Sequence, residues 1–334
     1  MNTALRALAV LGLSLSFGAQ AAPVTIKFAT VAPEGSSWMD VLKEAAATIK
    51  AKTSGNVEIK LYPGGIAGDE PDVLRKMRVG QYHAGGFTGV GLGEVLPDVR
   101  IMDLPLFYKD SAEVDLIKEK LTPEFEKKFE AKGQVFLGWA EPGMVYLFAQ
   151  KPVNGAADMV GVKMWAWEGD PLAEAMLSAF KVAPVNVALP DVLMALQTGM
   201  INAIYAPPMP AMALQWHTKV KFMMNQPLTN STGGVLVAKK QWDMVSSADQ
   251  ATVRAVFKES LAKLTLTTRR QNDEAIEKFK QMGIQVVPIQ KSGRDELAAA
   301  AAKIRPQMVG KLYSAELLKK VEALLAEFRA KAGK

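Results

Sequence analysis

Apolar and polar positions alternate over Val24–Thr30 and again over Val57–Tyr62, the two-residue period of a strand. Between them, Ser36 or Ser37 stands ahead of a stretch running to about Lys52, with Trp38, Leu42 and Ala45 on one side. That spacing predicts a capped helix. The second strand is closed by Pro63-Gly64-Gly65. A helix is expected over Asp69–Val79 and a short strand over Tyr82–Phe87. Strand and helix alternating in this way predict an α/β fold, an open sheet with helices on its faces. Ligands of such sheets sit beyond the carboxyl ends of the strands. Here those ends fall near Val31, Gly64–Glu70 and Phe87–Gly89. The glycine-rich stretch 85–94 lacks the Lys-Ser/Thr of a phosphate loop and reads as a strand-to-loop turn.

A charged helix is expected over Ser111–Lys132. Two strand-like segments flank Pro142-Gly143, and a second α/β unit follows. Its strands are Val162–Trp167, Pro184–Ala188 and Ile201–Tyr205. Its helices are Pro171–Phe180 and Pro190–Gln197. Val235–Ala238 reads as a strand returning to the first sheet. A region free of Pro and Gly then runs from about 247 to 282, long enough to tie two units together. Ile284–Pro288 is a further strand. The last helix keeps Leu317, Leu318, Val321, Leu324, Leu325 and Phe328 on one face. These crossings divide the chain into lobe I, residues 22–142 plus 231–270, and lobe II, residues 143–230 plus 271–334.

The amino terminus changes the picture. Arg6, an apolar run from Ala7 to Phe17 and Ala19-Gln20-Ala21 have the layout of a signal peptide over residues 1–21, cleaved after Ala21. The run is too short for a membrane span, which needs about 20 residues, and no later segment is apolar enough for one. The expected product is a periplasmic protein of 334 − 21 = 313 residues, a length that favours two domains. It contains no cysteine, so disulfides and thiolate metal sites are excluded. The formal charge of +6 falls to +5 without Arg6, and acidic and basic residues alternate along the helices. A nucleic-acid surface is not expected from that pattern. His83 and His217 have no partner at metal-ligand spacing, so both read as structural and no metal or cofactor is expected. No nucleophile elbow or metalloprotease motif is present, so catalysis has little support in the sequence.

Several motifs, in order, carry a resemblance. They are FATVAPEGSSW at 28–38, LYPGGIAGDE at 61–70, and Asp158, Gly161 and Lys163 within GMVYLFAQKPVNGAADMVGVKMWAWEGDP. ALQTGMINA at 195–203 and the long helix complete the set. Together they resemble the solute-binding receptors of tripartite ATP-independent periplasmic (TRAP) transporters, of the dicarboxylate-receptor type. The resemblance implies a two-lobed periplasmic binding protein fold, with two open sheets, a ligand cleft between them and a long helix spanning both lobes. It implies capture of a small organic solute without turnover and delivery to TRAP membrane permease subunits, by a monomer. A ligand sensor for a signalling partner, or a secreted enzyme on the same scaffold, are the alternatives.

The resemblance also assigns ligand positions, and here the chain departs from the pattern. The family's arginine position is Trp165, a second polar position is Val145, and an asparagine position is Ala206. The first-lobe positions fall on Val31 and Thr88. Trp cannot grip a carboxylate bidentately as a guanidinium does, so an aromatic, largely dry cleft is expected. Trp165 and Trp167 share a strand face; Tyr205 and Leu189 complete the expected lining. Glu70 and Asp69 either start a helix or face the pocket. Glu168 and Asp170 either cap the Pro171 helix or attract a cation held over an indole.

Overall fold

The computed structural model describes residues 23–332, so the proposed leader 1–21 lies outside the described residues. The first sheet contains β1 (Val24–Thr30), β2 (Val57–Tyr62), β3 (Ala84–Thr88), β4 (Gln134–Trp139) and the later β11 (Gly233–Ala238). Its order is β2-β1-β3-β11-β4. The first three strands are parallel, and β11 runs antiparallel between β3 and β4. The second sheet is built from β5 (Gly143–Ala149), β6 (Met164–Ala166), β7 (Pro184–Asn186), β8 (Ala203–Ala206), β9 (Phe222–Met224) and β12 (Gln285–Val287). Its order is β12-β9-β5-β8-β6-β7, and β10 (Thr229–Ser231) adds to β5.

The chain crosses between sheets twice in strand form, from β4 to β5 through Ala140–Pro142 and from β10 to β11 through Thr232. The helix Ser247–Gln281 is 35 residues long and feeds both cores. Its Val253, Val256, Phe257, Leu261 and Leu264 pack into a first-lobe cluster with Ile26, Phe28 and Met39. Further along, Ala275 and Phe279 pack into a second-lobe cluster with Phe148 and Trp165. One helix thus contributes apolar burial to both cores and ties the packing of the two lobes together.

Three expectations need correction. Residues 85–94 are not a strand-to-loop turn, because the helix Gly89–Val95 follows β3 directly. Thr88 is its N-cap, accepting from the Val90 amide. The glycines permit close approach: a Cβ at Gly89 would collide with the Asp103 carboxylate, and one at Gly91 with Glu70. Second, the strands of the second unit are shorter than read: Met164–Ala166 replaces Val162–Trp167, and Ala203–Ala206 replaces Ile201–Tyr205. Third, the closing helix Ala315–Ala332 was grouped with lobe II, but it packs on the first-lobe helix Ser111–Ala131. Leu317, Leu318, Val321 and Leu325 share a core with Ile117, Leu121 and Phe125. An amphipathic face specifies burial and not its partner, so the pattern could not choose between lobes.

Candidate functional site

The two lobes enclose a cavity of about 220 Å³. From the first lobe come Val31, just beyond β1, and Thr88, the last residue of β3. From the second come Val145 on β5, Trp165 on β6, Trp167 just beyond it, Leu189, and Tyr205 and Ala206 on β8. Of the sequence-selected positions, Glu70, Asp69 and Glu168 do not line the cavity, and the others do. Trp38 and Trp216 add two more indoles to the wall.

The aromatic side chains form a packed group. Trp165 stacks on Tyr205 at 5.1 Å between ring centroids, meets Trp216 edge-on at 5.3 Å, and lies 5.7 Å from Trp167. Offset and edge contacts at such separations are the favoured aromatic geometries. Trp165 is only 2% exposed, and its indole N–H donates to the Val187 carbonyl at 2.9 Å. It therefore both borders the cavity and belongs to the second-lobe core.

Glu70 turns away from this cavity. It is 1% exposed at the start of the helix Glu70–Arg78. Its carboxylate accepts from the Thr88 amide at 2.8 Å, the Thr88 hydroxyl at 2.9 Å and the Gly91 amide at 2.9 Å. It fastens the junction between β3 and the helix that follows, where Gly91 lets it come close. Burial raises its pKa to about 8 despite those donors, and Asp69 adds to the rise.

Asp69 does two things at once. It is the N-cap of that helix, in a capping box with Asp72. Its Oδ2 also accepts from the Trp167 indole at 2.7 Å and the Leu189 amide at 3.1 Å, both in the second lobe.

The charged residue that sequence reasoning missed is Arg100, on the helical turn Pro97–Asp103. It is 5% exposed and lines the cavity. Its Nε donates to Asp103 at 2.9 Å and its Nη2 to Asp170 of the opposite lobe at 2.9 Å. Burial works against the guanidinium charge, but the two aspartates outweigh it and raise its pKa. For Asp103 burial wins over Arg100, and its pKa is raised. Asp170 also caps the helix Pro171–Ala179 through the Leu172 amide at 3.1 Å. One sequence signal was available: Arg100 and Asp103 sit alone in an otherwise apolar run, VRIMDLPLF.

Arg100 is the one cationic side chain among the described residues lining the cavity. Its pairing leaves that end with one positive and two negative side chains. Buried hydrogen-bonding capacity remains unused beside it, on the Tyr205 hydroxyl and Asn230 Oδ1. Elsewhere the cavity is apolar. His83 instead contacts the Lys27 amide and the Thr25 carbonyl, and His217 the Ala211 carbonyl. Among the described residues no group of three or more His, Cys, Asp or Glu side chains could hold a metal ion, and no helix is long and apolar enough to cross a membrane.

Two α/β lobes, two strand crossings, a shared helix and an interlobe cavity define a two-lobed solute receptor. The sequence profile described as "Bacterial extracellular solute-binding protein, family 7" matches residues 28–311, and the chain belongs to that family. It is 26% identical over 282 residues to a C4-dicarboxylate-binding periplasmic protein of Rhodobacter capsulatus, covering 82% of each chain. It is 22% identical to a sialic acid-binding periplasmic protein of Vibrio cholerae, covering 84% of this chain and 87% of that one. Among solved structures it is similar to an extracytoplasmic solute receptor of Bordetella pertussis binding pyroglutamic acid. The TM-score there is 0.84 at 20% identity, covering 90% of this chain and 99% of the other. It is also similar to a TRAP periplasmic solute-binding protein of Ralstonia eutropha with bound 2-acetolactate, at TM-score 0.85 and 20% identity, covering 91% and 99%.

Proposed function

We propose that this chain is the periplasmic receptor of a TRAP-type system. It captures one small organic solute in the aromatic interlobe cavity and delivers it, unchanged, to membrane permease subunits. The receptor acts as a monomer with residues 143–230 as the core of lobe II, and the lobes close about the crossings at Ala140–Pro142 and Thr232. The observation carrying this reading is a cavity bordered by both lobes, walled mostly by indoles and apolar side chains, with Arg100, Asp103, Asp170 and Asn230 among its buried polar groups. Relatives and structural neighbours named for organic acids support a small organic solute.

The solute differs from a short dicarboxylate. Trp165 and Val145 offer no charge, and Arg100 is already paired on both sides. A second carboxylate would lie buried without a partner, at a cost of several kcal/mol. A solute with an apolar or aromatic body and at most one charged end fits better.

Mass spectrometry of small molecules released from purified protein, followed by calorimetry, tests the reading. A single released organic solute that rebinds and shrinks the radius of gyration in small-angle scattering is the expected result. The reading fails if no released molecule and no member of a broad organic-acid and amine panel shifts either the melting temperature or the scattering.

A further inference from the structure

The cavity is deeper than an interlobe cleft requires. Its wall includes Trp165, Trp167, Leu189 and Ala206, which belong to one second-lobe cluster. It also includes Val153, Met159, Met164, Leu177, Ile289 and Leu297, which belong to a different one. Met164 and Trp165 are neighbours on β6, so their side chains leave opposite faces of the sheet. The space therefore reaches from the cleft past the sheet into the layer covered by the helices Pro171–Ala179 and Lys291–Gln307. Leu177 and Leu297 reach it from those two helices, and Phe180 closes the end of the first.

A void of this kind inside a lobe core is costly to leave empty, because interiors are packed to crystal density. An apolar cavity of about 150 Å³ already holds a benzene ring. At about 220 Å³ this cavity has room for a ring-sized body and several more carbons. Its charged side chains, Arg100, Asp103 and Asp170, gather at one end together with the unpaired polar atoms of Asn230 and Tyr205.

We propose that the solute is amphipathic, with a compact polar end at Arg100, Asp170 and Asn230 and an apolar chain or flat ring system extending into the second lobe between the helices of Leu177 and Leu297. This rests on the receptor reading above and names the class of solute that site takes. The Met, Leu, Ile and Phe side chains of the inner part present no hydrogen-bonding group. They select by shape and apolar area, and methionines adapt to varied shapes.

The test uses the mature protein and two probe series: unbranched monocarboxylates and unbranched primary amines, each from four to ten carbons. Binding is read by calorimetry and by tryptophan fluorescence. In at least one series, affinity should rise about fourfold per added methylene and then level off when the inner space is full. Leu177→Trp, which fills that space, should flatten the rise with chain length. Phe180→Ala, which enlarges it, should move the plateau to longer chains. Leu297→Phe provides a second filling variant if Leu177→Trp does not fold.

The inference is overturned if affinity is independent of chain length, or if both filling variants keep the full rise. It is overturned as well if neither series binds. Short probes that bind and compact the protein without any gain per methylene would sink the amphipathic solute and leave the receptor reading standing.

Discussion

The indole N–H of Trp167 donates across the cleft to Asp69 at 2.7 Å, so the residue that caps a first-lobe helix also holds the second lobe. Capping contributes about 1 kcal/mol and a hydrogen bond to a charged acceptor about 1.5–3 kcal/mol. Asp69→Ala loses both. Trp167→Phe keeps the cap and the Leu189 bond and loses one of the two hydrogen bonds that reach Asp69 across the cleft. Both variants are expected to have a larger unliganded radius of gyration than the parent, with the larger drop in melting temperature for Asp69→Ala. Identical scattering for parent and Trp167→Phe would show that this bond does not hold the lobes together.

Trp165 is a harder residue to test, because it serves cavity and core together. Trp165→Ala empties a site only 2% exposed and should cost about 3–5 kcal/mol of stability. Lost binding in that variant therefore says little about contact with solute. Trp165→Phe keeps an aromatic face against Tyr205 and gives up the bond to Val187. It should fold, melt a few degrees lower, and bind the natural solute at least tenfold more weakly. Unchanged affinity in Trp165→Phe would assign the indole to the core alone.

Glu70 makes stability depend on pH near neutrality. Its pKa is raised from the usual carboxyl value to about 8 by burial. The folded protein thus holds a proton that the unfolded chain gives up above about pH 4.5. The associated stability is complete below that pH and is lost as pH rises toward 8, by up to about 1.4 kcal/mol per pH unit. Glu70→Gln keeps an oxygen acceptor and removes the titration. Its denaturation midpoint should vary less between pH 5 and pH 8 than the parent's. Parallel curves for the two proteins would show that Glu70 is ionised in the fold.

Much of the fold was legible because its signals are local. Alternation marked Val24–Thr30, and the absence of Pro and Gly marked the long helix to within a residue or two of Ser247–Gln281. The site was legible in part. Periodicity alone leaves Trp165 equally suited to a core, and the resemblance to a known family placed it at the cavity. Arg100 went unread because its partner across the cleft, Asp170, stands 70 residues away, and the i,i+3 pair with Asp103 lies on a short helical turn that the apolar pattern did not mark. Glu70 was selected because it closes the motif at 61–70, beyond the carboxyl end of the second strand. What holds it inward are the Thr88 and Gly91 donors and a close approach at Gly91 that only the folded backbone displays.

The crossing between β4 and β5 is braced by Glu141, which is 2% exposed. Lys118 pairs with it, and Arg269 of the long helix reaches it at 2.9 and 3.0 Å while also gripping Asp115. Burial would raise the Glu141 carboxyl, but Lys118 and Arg269 outweigh it and hold it below the usual range. The stability it contributes is therefore present at neutral pH and lost as pH falls through that lowered value. Glu141→Ala leaves Lys118 buried without its partner, at a cost of about 3–5 kcal/mol. A melting temperature within a degree of the parent's would contradict this.

The Arg100–Asp170 bond predicts a change of ligand preference from a single substitution. In the parent, Asp170 occupies the guanidinium from the second lobe, and Asp103 holds its other side. A solute carboxylate must displace one of them, and succinate would carry a second charge with no partner at Trp165 or Val145. Asp170→Asn removes one negative charge from the cavity. It keeps a side-chain oxygen to cap the helix at the Leu172 amide, a position where Asn and Asp are equally good. Arg100 then has a free charge to offer. A hydrogen bond between charged groups is worth about 1.5–3 kcal/mol, which is about 10- to 100-fold in affinity. Succinate and unbranched monocarboxylates should tighten by that factor in Asp170→Asn, while unbranched amines weaken. Calorimetry on both classes at one ionic strength measures the difference. Submicromolar succinate binding by the parent, or no gain for any carboxylate in the variant, would mean that Asp170 does not guard Arg100.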